Sequence, residues 1–371
     1  MKITYQIDKF AVNFFRKQFY KRTIENKSVR LPKFIAWDCT RRCNLHCEHC
    51  GASKESYESE LTTDEIKKII NDISKIKRCF FGATGGEPFL RNDLLEVLSY
   101  AKSKGLGTGF ASNGFLISKE KAEEIKKSKV DSIQISLDGL EETHNKIRNN
   151  PKSFFSAIEA IKNLQEIKVP ILSVATTLTP NNFDELEEIH NLLAGLGIKK
   201  WRIVIIMPIG RAEDSKNLQL NPDQLKSLFS FVRNNNHKKM YIYIGENLPF
   251  LGEYEESVRD EPALCPVGIT ACCIGVNGNV RGCPEQPDIP ELIEGNIKED
   301  SILNIWQKGF KKYRLNEAVY TDKKCINCKD RNNCYGGCWV MRIGGTNCIY
   351  DLLNKEFCNQ ATDVFFSRCR I

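Results

Sequence analysis

No run of about 18 apolar residues interrupts this 371-residue chain, so no membrane-spanning helix is expected. The opening residues lack the basic-then-apolar layout and the small-residue cleavage site of a signal peptide, which predicts a cytoplasmic location. Low-complexity tracts are absent too, and 41% hydrophobic with 27% charged residues excludes extended disorder. Nor is there an RNA-binding motif or a stacking aromatic set, so nucleic acid is not an expected partner despite a net charge of +7. Part of that charge is local. Residues 1 to 33 carry nine Lys or Arg against Asp8 and Glu25, with Phe10, Phe14, Phe15 and Phe19 among them. They read as an amphipathic helix packed on the main domain; the alternative is contact with an acidic partner or a membrane surface.

What the chain has in excess is cysteine. In a reducing compartment its sixteen cysteines should be thiols or metal ligands, because stable disulfides are rare there. Four of them crowd into "CTRRCNLHCEHC", residues 39 to 50, directly after the apolar run Phe34 to Trp37. A disulfide knot, a zinc site and an iron-sulfur cluster are the candidate explanations.

From Phe34 to about Met207 short β-rich runs alternate with amphipathic helices, the pattern of parallel strands joined by helical crossovers. The expected strands are Phe34 to Asp38, Arg78 to Thr84, Gly107 to Ser112, Ser132 to Asp138, Ile171 to Leu178 and Trp201 to Met207. In "LTTDEIKKIINDISKI" Thr62 and Glu65 form a capping box, and Ile66, Ile69, Ile70, Ile73 and Ile76 share one helical face. Phe183, Leu186, Ile189 and Leu193 repeat that logic. In such folds functional groups gather at the carboxyl ends of the strands. The cysteine run, "TGGEP", "SNG" and "SLDG" close the first four strands in turn, so one face collects them all. After "MPIGRA" the alternation gives way to a helix near Pro222 to Val232, a short strand at Tyr241 to Ile244 and a cysteine-rich tail. The expected division is therefore a basic extension over 1–32, a core over 33–235, a linker over 236–261 and a tail domain over 262–371.

Cys43, Cys47 and Cys50 stand in a C-x3-C-x2-C frame, tight enough for one loop to aim three thiolates at one point. A [4Fe-4S] cube takes four ligands, so three leave one iron open. This frame and the strand-end signals resemble the radical S-adenosylmethionine (SAM) superfamily. The resemblance implies a partial (β/α)6 TIM-like barrel of parallel strands, and an open iron that chelates SAM. Reduction then splits the carbon-sulfur bond, and the 5'-deoxyadenosyl radical takes hydrogen from a substrate. It also implies that Gly85, Gly86 and Glu87 receive the SAM ammonium, that Ser112 and Asn113 lie near its ribose and methionyl part, that Ser136 and Asp138 contact ribose or carboxylate, and that Arg148 pairs with the carboxylate. His49 departs from the usual aromatic before the third cysteine. The competing zinc reading would complete a site with Cys39, His46 or His49, but leaves "GGEP" and "SLDG" unexplained.

The tail holds "CPVGITACCIGVNGNVRGC" and "CINCKDRNNCYGGCWV", then Cys348 and Cys358. Its C-x2-C-x5-C-x3-C segment resembles the SPASM domain, which implies two auxiliary [4Fe-4S] clusters. By that analogy Cys265, Cys283 and Cys338 with Cys272 or Cys273 hold the inner one, and Cys325, Cys328, Cys334 and Cys358 the outer. Adjacent residues of a strand point to opposite sides, so only one of Cys272 and Cys273 can ligate comfortably. Structural zinc knuckles are the alternative. Cys39, Cys79, Cys348 and Cys369 remain as buried or idle thiols. Some relatives place a substrate-deprotonating carboxylate after the inner-cluster cysteine, which makes Glu285 the candidate base here, with a surface glutamate as the plain alternative.

The resemblance as a whole implies an enzyme that modifies a peptide or protein, for example by thioether or carbon-carbon crosslinking, fed by a flavodoxin- or ferredoxin-like reductant. Residues 1 to 33 are too few for a leader-binding winged helix, so a separate recognition protein is expected. Side-chain chemistry on a small-molecule tetrapyrrole, as in alternative haem synthesis, is the close rival. A non-catalytic iron-sulfur or zinc protein is the reading from another class.

Overall fold

A computed structural model describes residue 18 and residues 29–51, 59–214, 216–245, 247–261, 264–315, 321–343 and 348–353. Most of the expected N-terminal helix lies outside these residues, as does Cys358. Seven parallel strands lie side by side in chain order: β1 (Phe34–Thr40), β2 (Phe80–Gly85), β3 (Gly107–Ser112), β4 (Ser132–Ser136), β5 (Ile171–Leu178), β6 (Lys200–Ile205) and β7 (Tyr241–Ile244). The crossovers are α1 (Thr63–Ile73), α2 (Leu94–Ser103), α3 (Lys119–Ser128), the pair α4 (Glu141–Arg148) and α5 (Ser153–Glu166), α6 (Leu186–Gly195) and α7 (Pro222–Asn235). The six expected strands are present within a few residues of their sequence limits. The short strand expected at Tyr241 to Ile244, within the stretch assigned to the linker, is the seventh and joins the same sheet.

Sequence periodicity explains which face each element buries. In β4 Ile133 and Ile135 enter the core shared with the helices, while Ser132, Gln134 and Ser136 stay half-buried on the opposite, inner face. Strand β6 does the same with Trp201, Ile203 and Ile205 against Arg202 and Val204. Helix α1 buries Ile66, Ile69, Ile70 and Ile73, each contributing about 2 kcal/mol of apolar burial. Its capping box is formed, with the Glu65 amide donating to Thr62 Oγ1 at 3.3 Å and the Thr62 amide donating to Glu65 Oε2 at 2.8 Å.

The tail is sewn onto the other edge of this sheet. Strand β8 (Ala271–Ile274) runs parallel beside β1, and β9 (Asn279–Arg281) and β10 (Gly295–Asn296) extend outward antiparallel. Cys272 is level with Ile35 and Cys273 with Ala36, so the two cysteines take opposite faces. Among the described residues no helix is long and apolar enough to cross a membrane.

Candidate active site

The loop after β1 carries Cys43, Cys47 and Cys50, and three other segments grip its backbone. The Gly86 amide donates to Thr40 O at 2.6 Å and the Glu87 amide to Arg42 O at 2.8 Å. From the end of α4, Ile147 O accepts from the Glu48 amide at 3.0 Å. From beyond β6, Arg211 donates through its amide to Cys50 O at 3.0 Å and through Nε to Cys47 O at 2.6 Å. Two glycines are required by this closeness. A Cβ at Gly86 would lie 2.1 Å from Arg42 O, and one at Gly210 would lie 2.3 Å from Gly51 O. From below, buried Arg91 forks onto Asp93 at 2.8 and 2.6 Å and donates to Cys39 O at 3.2 Å and Leu61 O at 2.9 Å.

The residues expected to meet SAM come together at these strand ends. Glu87 is fully buried, and its carboxylate accepts from Ser112 Oγ at 2.8 Å, the Asn113 amide at 2.9 Å and the Phe89 amide at 3.3 Å. Burial raises its pKa, opposed chiefly by the Asn113 amide and the Ser112 hydroxyl. Asn113 in turn donates through Nδ2 to Asn44 Oδ1 at 2.8 Å, tying the third strand end to the cysteine loop. Asp138 is likewise fully buried; Oδ1 accepts from the Thr177 amide at 2.8 Å, and Oδ2 lies 2.6 Å from Arg148 and 3.5 Å from His49. Both carboxylates thus brace protein groups from beneath the site. Arg148 approaches the Cys47 sulfur at 3.7 Å and is held cationic, its pKa raised by Asp138 and Cys47 against burial. Burial pushes the Cys47 thiol up, with Arg148 as the main opposing influence.

Three buried donor or acceptor atoms around this loop, Asn44 Nδ2, His49 Nδ1 and Arg148 Nε, have no hydrogen-bond partner. Such atoms are costly unless something polar meets them. Together with three thiols on one loop and backbone at glycines, the donor set fits a cluster-bound amino acid. Among the described residues every cysteine is a free thiol, and no three His, Cys, Asp or Glu side chains converge tightly enough to hold one metal ion.

The tail brings its thiols into two groups. Cys283 lies within electrostatic reach of Cys338, Cys265 and Cys273, whereas buried Cys272 faces Cys79 and Arg314 in the helix-side core. The placement separates the two adjacent cysteines and sets Cys273 with the inner group. Cys325, Cys328 and Cys334 line a second concavity, and Cys348, expected to be idle, lines it with them. Glu285 is exposed as a residue, yet its carboxyl turns toward the cysteine loop, where Oε2 would lie 3.3 Å from a Cβ at Gly51. Burial there raises its pKa, with Arg202, Arg41 and Arg281 pulling it down. Fully buried Arg281 bonds Asp38 Oδ2 at 2.5 Å, and Arg41 reaches the same oxygen at 2.7 Å.

Sequence reasoning missed Asn44, Arg91, Gly210 and Arg211. "MPIGRA" was the available signal for the last two, since it also closes a strand, but it reads only as the end of the alternation.

A sequence model of the Radical SAM superfamily matches residues 37–193, and a second, described as an iron-sulfur cluster-binding domain (SPASM), matches residues 265–330. The chain is 30% identical over 336 residues to the AdoMet-dependent heme synthase of Nitratidesulfovibrio vulgaris, covering 85% of this chain and 89% of that one. It is 29% identical over 323 residues to the mycofactocin maturase MftC of Mycolicibacterium smegmatis, covering 85% and 80%. Among solved structures, native anSMEcpe with bound AdoMet and Kp18Cys peptide superposes with a TM-score of 0.68 at 19% identity, over 91% of this chain and 96% of that one. Streptococcus suis SuiB bound to precursor peptide SuiA gives 0.67 at 17% identity, over 87% and 75%. These two likenesses concern the fold.

Proposed function

This chain belongs to the radical SAM superfamily and is an enzyme, and on that premise we propose that it abstracts hydrogen from a peptide or protein substrate in the mouth above its parallel sheet. The observation that carries the reading is the meeting of two thiol-bearing segments there: Glu285, two residues after Cys283, comes against Gly51, next to Cys50. Chemistry begun at one loop is thus within reach of groups from the other.

When bound, the cofactors, [4Fe-4S] clusters and SAM, supply one-electron cleavage of a carbon-sulfur bond and a 5'-deoxyadenosyl radical. Cys43, Cys47 and Cys50 would hold the first cluster. Backbone at Gly85 and Gly86, with Ser112, Asn113, Ser136 and Arg148, orients SAM, while Glu87 and Asp138 fix those groups from below. Cys265, Cys273, Cys283 and Cys338 would hold the inner auxiliary cluster. Glu285 takes a substrate proton at its carboxylate, which burial makes more basic than an ordinary glutamate. A flavodoxin- or ferredoxin-like protein supplies the electron, and a separate recognition protein presents the peptide.

The likeness to a peptide maturase supports this substrate class. A tetrapyrrole is the second reading, favoured by the 30% identity to a heme synthase. Anaerobically reconstituted protein with dithionite and SAM separates them when host extract is added as peptide and tetrapyrrole fractions. The peptide fraction should stimulate 5'-deoxyadenosine release, and protease treatment of that fraction should abolish the effect. Stimulation that resists protease and follows tetrapyrrole absorbance would establish the second reading instead.

A further inference from the structure

We propose that Cys348, rather than Cys358, is the fourth thiolate of the outer auxiliary cluster, alongside Cys325, Cys328 and Cys334. The assignment rests on the auxiliary-cluster part of the reading above and departs from the ligand set that analogy gave.

The first three thiols are arranged by local structure. Cys325 lies in the short helix Lys323–Ile326, and the Cys328 amide donates back to Cys325 O at 3.1 Å. Cys334 ends the helix Arg331–Cys334. After it three successive residues take left-handed backbone, Tyr335 at φ 50°, Gly336 at 87° and Gly337 at 69°. Only a sequence rich in glycine turns so sharply. The consequence is that Cys338, four residues on, joins Cys283, while Cys334 stays behind. The outer group is left one thiol short of a full cube.

Cys348 stands across the same concavity, whose wall continues through Ile349, Tyr350 and Asp351. Each of these three residues is anchored independently. Ile349 is buried in the main core, the Tyr350 hydroxyl donates to Asp330, and Asp351 pairs with Lys324 Nζ at 2.9 Å. Both polar anchors belong to the segment that carries Cys325 and Cys328, so Cys348 is held over those thiols from two sides. It lies close enough for its charge to interact with those of Cys328 and Cys334. Arg342 completes the surround, donating to Cys325 Sγ at 3.6 Å and pairing with Asp322 at 3.0 Å. A cationic donor to a thiolate sulfur is the expected neighbour of a cluster.

The test is thiol footprinting of the unmutated, anaerobically reconstituted full chain with iodoacetamide, read by mass spectrometry and compared with the iron-free protein. Cys348 should be protected together with Cys325, Cys328 and Cys334, and Cys358 should be alkylated. Iron content gives the second measurement: Cys348→Ala should fall below the about twelve irons per chain of the unmutated protein, and Cys358→Ala should stay near twelve. Alkylation of Cys348 at its iron-free rate, protection of Cys358, iron loss in Cys358→Ala, or zinc in the outer site would overturn the assignment. In those cases the unmutated protein still forms 5'-deoxyadenosine from SAM, whereas failure of the underlying reading removes that product and the cluster absorbance together.

Discussion

The guanidinium of Arg91 joins the end of β1, the start of α1 and the loop after β2, and it also lies 5.0 Å over the Trp37 ring. Removing it strands half-buried Asp93 and two carbonyls. Arg91→Ala is expected to destabilise the iron-free protein by about 3 kcal/mol in urea titrations, and an effect below about 1 kcal/mol would deny it this place. His144 works through protonation. Its Nδ1 accepts from the Asp138 amide at 2.9 Å, and burial, with Arg148, pushes its pKa down to about 3 from an ordinary 6.5. The unfolded chain therefore binds a proton near pH 6.5 that the folded chain refuses until about 3. This contribution to stability is present above 6.5 and is lost as pH falls through that window, by about 1.4 kcal/mol per unit. Unfolding curves at three pH values should show His144→Phe with a slope shallower by that amount.

At the scale of elements, the strand ends act as a seat into which the cysteine loop is pressed by close backbone contact. Gly86→Ala puts a methyl carbon into Arg42 O and should cost about 2 kcal/mol while lowering iron uptake at the first cluster. Normal iron content in that variant, with unaltered stability, would show that the seat is looser than described. How legible this arrangement is depends on the range of the forces involved. The strands, the α1 capping box and the Cys43, Cys47 and Cys50 frame follow from spacings of a few residues and stand plainly in the sequence. Arg91 reaching Cys39 across 52 positions, Arg211 reaching Cys47 across 164 and Arg281 reaching Asp38 across 243 do not, because nothing local marks an arginine as bound for a distant carbonyl or carboxylate. The choice between Cys272 and Cys273 was open for the same reason. Alternation makes them opposite, but only the pairing of β8 with β1 says which one faces the inner thiols. Glycines followed a different rule: Gly86 was flagged by its motif, while Gly210 carries an equal constraint inside an unremarkable turn.

Among the described residues the ten strands form one sheet that begins in the tail and ends at β7, with both thiol-rich regions attached to it. A boundary suggested by composition therefore does not interrupt the hydrogen-bonded ladder. In the iron-free protein this continuity predicts a single unfolding transition. Variants that keep only Trp201, in the parallel core, or only Trp306, in the tail, should report the same urea midpoint, both rings being fully buried. Separate midpoints would show that core and tail fold independently.

At this scale the proposed enzyme depends on a vacancy in ligation: three cysteines on the loop after β1 would leave one iron for SAM. The most direct measurement is the electron paramagnetic resonance spectrum of dithionite-reduced protein, recorded anaerobically with and without SAM. The account predicts that SAM shifts the signal of one cluster, and that Cys47→Ala abolishes this shift while retaining the auxiliary signals. A spectrum indifferent to SAM, or a shift that persists in Cys47→Ala, would contradict it.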